Sequence, residues 1–482
     1  MKKKIDITII GGGISGLTTA YNLLKQEVGG ACPFHVTILE AEHETGGQAR
    51  AFEVDGVTVE HGSHVFFNYY KNIIDMIEEL RADPRYGAEI PGFERIPGWT
   101  IVDPYGRQAI LKHSPNLPTM LAVLPSILQI PWLTVIERLQ LAWGALRIIL
   151  TPFSEFKELD KLTSFELAKQ VGYSDVGALT WNSASLGLTN LFVQEQSGAI
   201  FGGKHHLLIN TPDGLAYRLP AGNLTKMFAA PMSRWVEDHG GTILRGAEVK
   251  HVGRAHGEKR TKVVYARGGE EQEIEAAHVV VATTPRSAAA MLPWVKAPWT
   301  ELEPVTPVIT IVLQLSGKLA SSVDARELGL SREYWTFSVL TDLSKFWPEF
   351  APEKTGDKTV LRCEIGHANL LAKGVEADEA ELVRMVKTDI DRLYPDAAAL
   401  TVEWAKLYRE RKHLYTKWVK GAFQKKPEDR NCGQGVFLAG DWTTKGTIGM
   451  EAAANSGIEA ANHILAAEKL PLIVYTDVPL ED

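Results

Sequence analysis

Cysteine is scarce: Cys32, Cys363 and Cys432 are the only three in 482 residues, and they form no C-x-x-C or Cys/His pattern. A disulfide framework and a metal site are therefore not expected, and a reduced, cytoplasmic setting fits. Basic residues are outnumbered, 51 against 59 acidic ones, and the net charge of -8 argues against a general nucleic-acid binder. The short run Lys2, Lys3, Lys4 leads into a strand, with no apolar core or small-residue cleavage site behind it, so secretion is not expected. A clean apolar span is missing too. Ser114 to Ile136 has no charged residue and is about the length that crosses a bilayer, yet Pro118, Pro125 and Pro131 interrupt it. Three readings stay open for this region, in falling order: buried helices lining a substrate tunnel, a monotopic patch dipping into a membrane, and a true span. Trp132 and Trp143, with Arg138 and Arg147 nearby, suit an interface belt and core packing equally.

What is present is a globular balance, 45% hydrophobic and 23% charged, over a length that holds two or three domains. The most informative stretch is Ile5 to Gly16, IDITIIGGGISG. Its β-branched residues predict a buried strand, and the following LTTAYNLLKQ has helical apolar spacing. Between them Gly11, Gly13 and Gly16 have the G-x-G-x-x-G spacing, which permits a tight turn, close approach of a pyrophosphate and close helix packing. A second strand, FHVTILE, ends at Glu40, about 24 residues past Gly16, where an acid can accept from a ribose 2'-hydroxyl and disfavours a 2'-phosphate. Strand, spacing and acid together predict an adenine dinucleotide site. Gly240-Gly241 lacks the strand-turn-helix context, so no separate nicotinamide site is indicated.

Beyond Glu40, Gly46 and Gly47 with Arg50 supply a turn and a guanidinium for anionic oxygens, and Asp55-Gly56 predicts a hairpin. The runs LEAEHETGGQAR and VEHGSHVFFNYYKNI resemble the flavin-dependent desaturase and amine-oxidase superfamily, most nearly the plant and cyanobacterial type phytoene and zeta-carotene desaturases. His64, Val65, Phe66, Phe67 and Tyr70 fall on matching positions of the G-L-H-x-F-F-G-x-Y stretch. Gln48 departs from the Lys or Arg usual after the double glycine, and Ser63 and Asn68 replace Leu and Gly. Near the other end, GVFLAGDWTTKGTIGMEAAANSGIEAANHIL carries Gly440, Asp441, Met450 and Glu451 on the A-G-D and S-M-E-G pattern, with Ala452 in place of Gly.

The resemblance implies non-covalent FAD held by Gly11, Gly13, Ser15, Gly16, Glu40, Ala41, Gly46, Gly47, Gln48, Arg50, His64, Val65, Tyr70, Gly440, Asp441 and Met450, with the backbone at Val249 on the adenine. It implies an α/β fold, a Rossmann-type FAD-binding domain assembled from discontinuous segments with an inserted α+β substrate domain. The expected boundaries are 1–85, 216–295 and 425–482 for the first, and 86–215 and 296–424 for the second, with 114–150 the candidate membrane-associating helices. His64 is expected to position substrate rather than abstract a proton, a satisfied structural histidine being the equal alternative. His205 and His206, read as a loop or strand, point apart and suggest no metal site. The expected activity is FAD-dependent oxidation of a lipophilic isoprenoid or polyene, forming or shifting C=C bonds, with oxygen or a quinone as electron acceptor and peripheral membrane contact. The alternatives are a flavin amine oxidase, for which Trp418 and Phe423 only faintly resemble an aromatic cage, and redox-neutral isomerase or dehydroxylase chemistry.

Overall fold

The fingerprint strand Ile5–Ile10 lies at the centre of a five-stranded parallel sheet. Across it the order is Thr242–Arg245, Phe34–Glu40, Ile5–Ile10, His278–Val281 and Val436–Leu438. This computed structural model describes residues 4–476 apart from 153–154, 254–258, 305–306, 321–326, 332, 411–415 and 445–447. Lys2, Lys3, Val305, Thr306 and the last six residues of the tail thus lie outside the described residues.

Both faces of the parallel sheet are covered, which is why its strands read as nearly continuous apolar runs. Ile7, Ile9, Val36, Ile38 and Val280 pack with Leu17 and Leu24 of the helix Ile14–Leu24 and Ile464 of the helix Met450–Ala467. Their alternates Ile10, Leu39, Val279 and Val281 pack with Val252, Val263 and Tyr265 of an antiparallel three-stranded sheet of Glu248–Gly253, Thr261–Arg267 and Glu270–Ala276. The period of two divides one strand between two cores.

A second, seven-stranded sheet lies elsewhere in the chain. Its order is Val402–Glu410, Val308–Leu315, Val360–Ile365, Val339–Asp342, Glu327–Gly329, Trp99–Val102 and Gln108–Leu111. All its pairs are antiparallel except the contact of Gly329 with Ile101. The amphipathic helix Glu379–Leu393, capped by Asp378, buries Leu382, Val386 and Ile390 in the core of this sheet. The fold is thus α/β, with a Rossmann-type sheet gathered from three separated parts of the chain and an α+β portion inserted between them.

Pro118, Pro125 and Pro131 divide the region 114–150, as its sequence requires. It forms the turn Thr119–Leu121, the helix Leu124–Ile127 and the helix Val135–Ile149, the last opened by a capping box between Thr134 and Glu137. Among the described residues no helix is long and apolar enough to cross a membrane. The Val135–Ile149 helix buries Leu141, Ala145 and Ile148 but leaves Val135, Ile136, Leu139 and Trp143 57–70% exposed. The expected loop or strand at His205 and His206 is instead the helix Gly198–Asn210. Its apolar side chains are buried on nearly all sides, which hides the amphipathic pattern from sequence.

Candidate active site

The turn at Gly11 is dictated by crowding. Gly11 has φ +100°, and a Cβ there would lie 2.5 Å from Ala282 O; a Cβ on Gly16 would lie 1.9 Å from Gly11 O. Gly13 by contrast has nothing closer than 3.9 Å, leaving its backbone approachable. Gly13 also pairs with Gly46, and Gly46 N donates to Gly12 O at 2.8 Å, joining the double-glycine turn to the fingerprint. Gly47, at φ +56°, passes close to Gly13, with Gln48 beyond it in the same turn.

The Glu40 carboxylate closes the other side. Its Oε2 accepts from Gly12 N at 2.7 Å and its Oε1 from Glu42 N at 2.9 Å. Ala247 N donates to Glu40 O at 2.8 Å, which brings the strand holding Val249 to the same sheet end. Ala41 is exposed just beyond. The Arg50 guanidinium lies 4.7 Å from the Phe52 ring and 3.7 Å from Glu42 Oε2.

The third segment joins through serines. Gly440 N donates to Ser456 Oγ at 2.9 Å, and Ser456 Oγ lies 3.2 Å from Ser15 Oγ. Gly449 N donates to Asp441 Oδ2 at 3.3 Å, and the Tyr70 hydroxyl lies 3.1 Å from where a Gly449 Cβ would stand. Met450 opens the helix that follows. Burial pushes the Asp441 carboxyl above its ordinary range and raises the Tyr70 phenol.

These residues fit a dinucleotide on one observation in particular. The helices Ile14–Leu24 and Met450–Ala467 both start at a glycine and, among the described residues, neither has a side-chain cap, which leaves their first N–H groups to an anion. The one acid in those first turns, Glu451, points elsewhere. It accepts from the N–H groups of Lys71, Asn72 and Ile73 at 2.9–3.0 Å, capping the helix Asn72–Ala82.

Beside the stretch 63–67 is a cavity walled by Val65, Phe67, Trp99, Tyr217, Leu188 and Val339. His64 is buried, with Nδ1 3.9 Å from Glu60 Oε2 and its ring edge-on to His61. Burial drives the His61 imidazole well below its ordinary pKa, helped by the charges of His64 and Arg362. Burial works to raise Glu60, but His64, Arg362 and the Leu224 N–H outweigh it and hold the carboxyl below the usual range. Arg362 Nη1 donates to Glu60 Oε2 at 2.8 Å.

Sequence reasoning missed Glu60, Arg362 and Glu364, which meet behind Ser63, and the cavity walls Trp99 and Tyr217. One signal was available: Arg362 interrupts the apolar strand VLRCEI, where an ionised side chain needs a partner. It also missed Lys426, whose ammonium lies 4.6 Å from the Trp418 ring and 4.7 Å from the Phe423 ring and donates to Thr444 O. Burial draws Lys426 down to about 7, against the pull of Asp441. The two aromatic rings therefore enclose a cation of the chain itself. His205 and His206 each meet a backbone carbonyl, of Phe201 and Ile148, both at 2.9 Å.

Comparison with known proteins agrees with this geometry. The chain is 24% identical to zeta-carotene desaturase of Arabidopsis thaliana, over 96% of this chain and 86% of the relative. It is 23% identical to that of Synechocystis sp., over 95% and 97%. Cyclohexylamine oxidase from Brevibacterium oxydans superposes with a TM-score of 0.65 at 17% identity, covering 97% of this chain and 100% of that one, which speaks for the fold alone. The family model of flavin containing amine oxidoreductases matches residues 14–465. Over nearly its whole length, therefore, the chain belongs to the flavin containing amine oxidoreductase family, whose members here point to an FAD-dependent oxidoreductase.

Proposed function

We propose that the protein oxidises a lipophilic isoprenoid or polyene, forming or shifting a C=C bond. The observation that carries this reading is the cavity beside residues 63–67, whose walls are chiefly aliphatic and aromatic side chains. Bound FAD supplies the acceptor for the hydride removed from the substrate. In this reading the glycine turn and the first N–H groups of Ile14–Leu24 bind the pyrophosphate, and Glu40 binds ribose hydroxyls. Gly46, Gly47, Gln48 and Arg50 line the same groove, Val249 meets the adenine, and Gly440, Asp441 and Met450 meet the flavin end. His64, Val65 and Tyr70 border the reacting face, with His64 positioning the substrate.

The enclosure of the Lys426 ammonium by Trp418 and Phe423 disfavours the amine-oxidase alternative, since a substrate amine would meet a like charge there. The exposed apolar stripe of Val135–Ile149 supports loading of the substrate from a membrane surface. Oxygen or a quinone takes the electrons.

The test is a visible spectrum followed by anaerobic mixing with polyenes, hydroxylated isoprenoids and amines. Bleaching of the flavin bands by a polyene or isoprenoid is expected. Bleaching by an amine alone overturns the reading, product without bleaching transfers it to redox-neutral chemistry, and a folded, reconstituted protein without flavin bands overturns it altogether.

A further inference from the structure

The helix Asn182–Thr189 forms one side of the cavity beside residues 63–67. Six of its eight residues are buried, and the two that are not, Gly187 and Leu188, both line the cavity. Glycine inside a helix is destabilising relative to alanine, so its presence there needs a reason.

Packing supplies that reason at Gly144, Gly202 and Gly457, inside other helices. A Cβ on Gly144 would lie 2.2 Å from the Tyr173 ring, one on Gly202 2.6 Å from the Phe156 ring, and one on Gly457 2.5 Å from Ser15 O. Gly329, also in the cavity wall, is held in the same way, since its Cβ would lie 3.0 Å from Trp99 Nε1. Gly187 is different. Its φ is not positive, and among the described residues a Cβ there would meet nothing nearer than Val339 Cγ2 at 3.5 Å and Trp99 Cζ2 at 3.9 Å, both ordinary van der Waals contacts. Val339 and Trp99 are themselves walls of the cavity, so a side chain at 187 would project into it between them. Neither the backbone nor the packing requires glycine at this position; the open space does.

The cavity thus keeps at Gly187 a width that any side chain would take away. An unbranched chain has no use for that width, whereas an isoprenoid carries methyl branches at regular intervals, each worth about fourfold in affinity when buried. We infer that Gly187 sets the width of the substrate cavity and makes room for a methyl branch, and that it is the residue that lets a branched chain bind in preference to a straight one. This deepens the isoprenoid reading above and rests on it.

The experiment titrates the FAD-loaded protein with phytanol and with hexadecanol, which share a backbone and a hydroxyl and differ only in the methyl branches. It follows tryptophan fluorescence, to which Trp99 in the cavity wall contributes. Both probes are delivered from the same detergent micelles, and the ratio of their dissociation constants is compared between variants, so partition into the micelle cancels. Gly187→Ala should lower the preference for phytanol about fourfold, the worth of one buried methyl, and Gly187→Leu should lower it about tenfold. Gly187→Ala should at the same time raise the urea midpoint, because it removes the helix penalty and meets no close contact. A glycine kept for packing would give the opposite sign. A midpoint that fails to rise in Gly187→Ala, or a preference that falls in neither variant, overturns the inference while leaving the isoprenoid reading standing. Binding of neither probe by the unaltered protein overturns both.

Discussion

Lys204 shows what a single burial can do. Its Nζ is sealed from solvent and has no hydrogen-bond partner among the described residues, although its stem is partly exposed. Burial alone draws its pKa down to about 7 from the ordinary 10.5. Between those values the unfolded chain binds the extra proton, so unfolding free energy rises with pH through that window. Below it, the folded state bears the full cost of the buried charge. Lys204→Met keeps the bulk and removes the charge, so it should be more stable than the unaltered protein at pH 7. That advantage should shrink by roughly 2 kcal/mol by pH 9. Denaturant unfolding of both proteins at both pH values measures it, and a gap that does not change with pH refutes the account. Lys426 shifts in the same direction but is present in both proteins and cancels.

At the scale of elements, helix ends and helix crossings hold the site together. Glu451 caps Asn72–Ala82 from the start of another helix, 378–380 positions away in sequence, so Glu451→Gln should cost about 2 kcal/mol, seen as a lower urea midpoint. A Gln must turn an N–H toward one of the backbone donors, whereas the carboxylate accepts at both oxygens. Gly457 allows the C-terminal and fingerprint helices to touch: a Cβ there would lie 2.5 Å from Ser15 O and 2.9 Å from Thr18 Cβ. Gly457→Ala should therefore destabilise by about 1–3 kcal/mol and lower the flavin retained through gel filtration. Full flavin retention with an unaltered urea midpoint would contradict the close crossing. Elements whose information is local were legible in sequence, such as the strand-turn-helix of Ile5 to Leu24 and the hairpin at Asp55-Gly56. Pairings across long separations were not. Glu60 meets Arg362 over 302 positions, and Gly329 pairs with Ile101, where neither segment signals its partner.

For the molecule as a whole, the distribution of exposed apolar side chains matters more than their number. Leu117, Met120, Leu121, Leu128, Val135, Ile136, Leu139, Trp143 and Leu150 are each at least 39% exposed and fall within one stretch of 34 residues, 117–150. The sequence located this region, but its alternation of buried and exposed positions became readable only once Leu141, Ala145 and Ile148 were seen to face inward. A net charge of -8 gives little electrostatic attraction to anionic lipid, so membrane contact would have to come from apolar burial. Flotation with neutral phosphatidylcholine vesicles is therefore expected, and it should persist in 1 M salt, where the screening length falls to about 3 Å. Replacing Ile136 and Trp143 together by glutamate should abolish it. Both side chains are 60–70% exposed, so the urea midpoint should move little, since surface changes of this kind usually stay within about 0.5 kcal/mol. Protein that stays at the bottom of the gradient with every lipid tested would rule out the membrane surface as the source of substrate. Flotation that vanishes in salt would move its cause from the apolar stripe to Arg138 and Arg147 beside it.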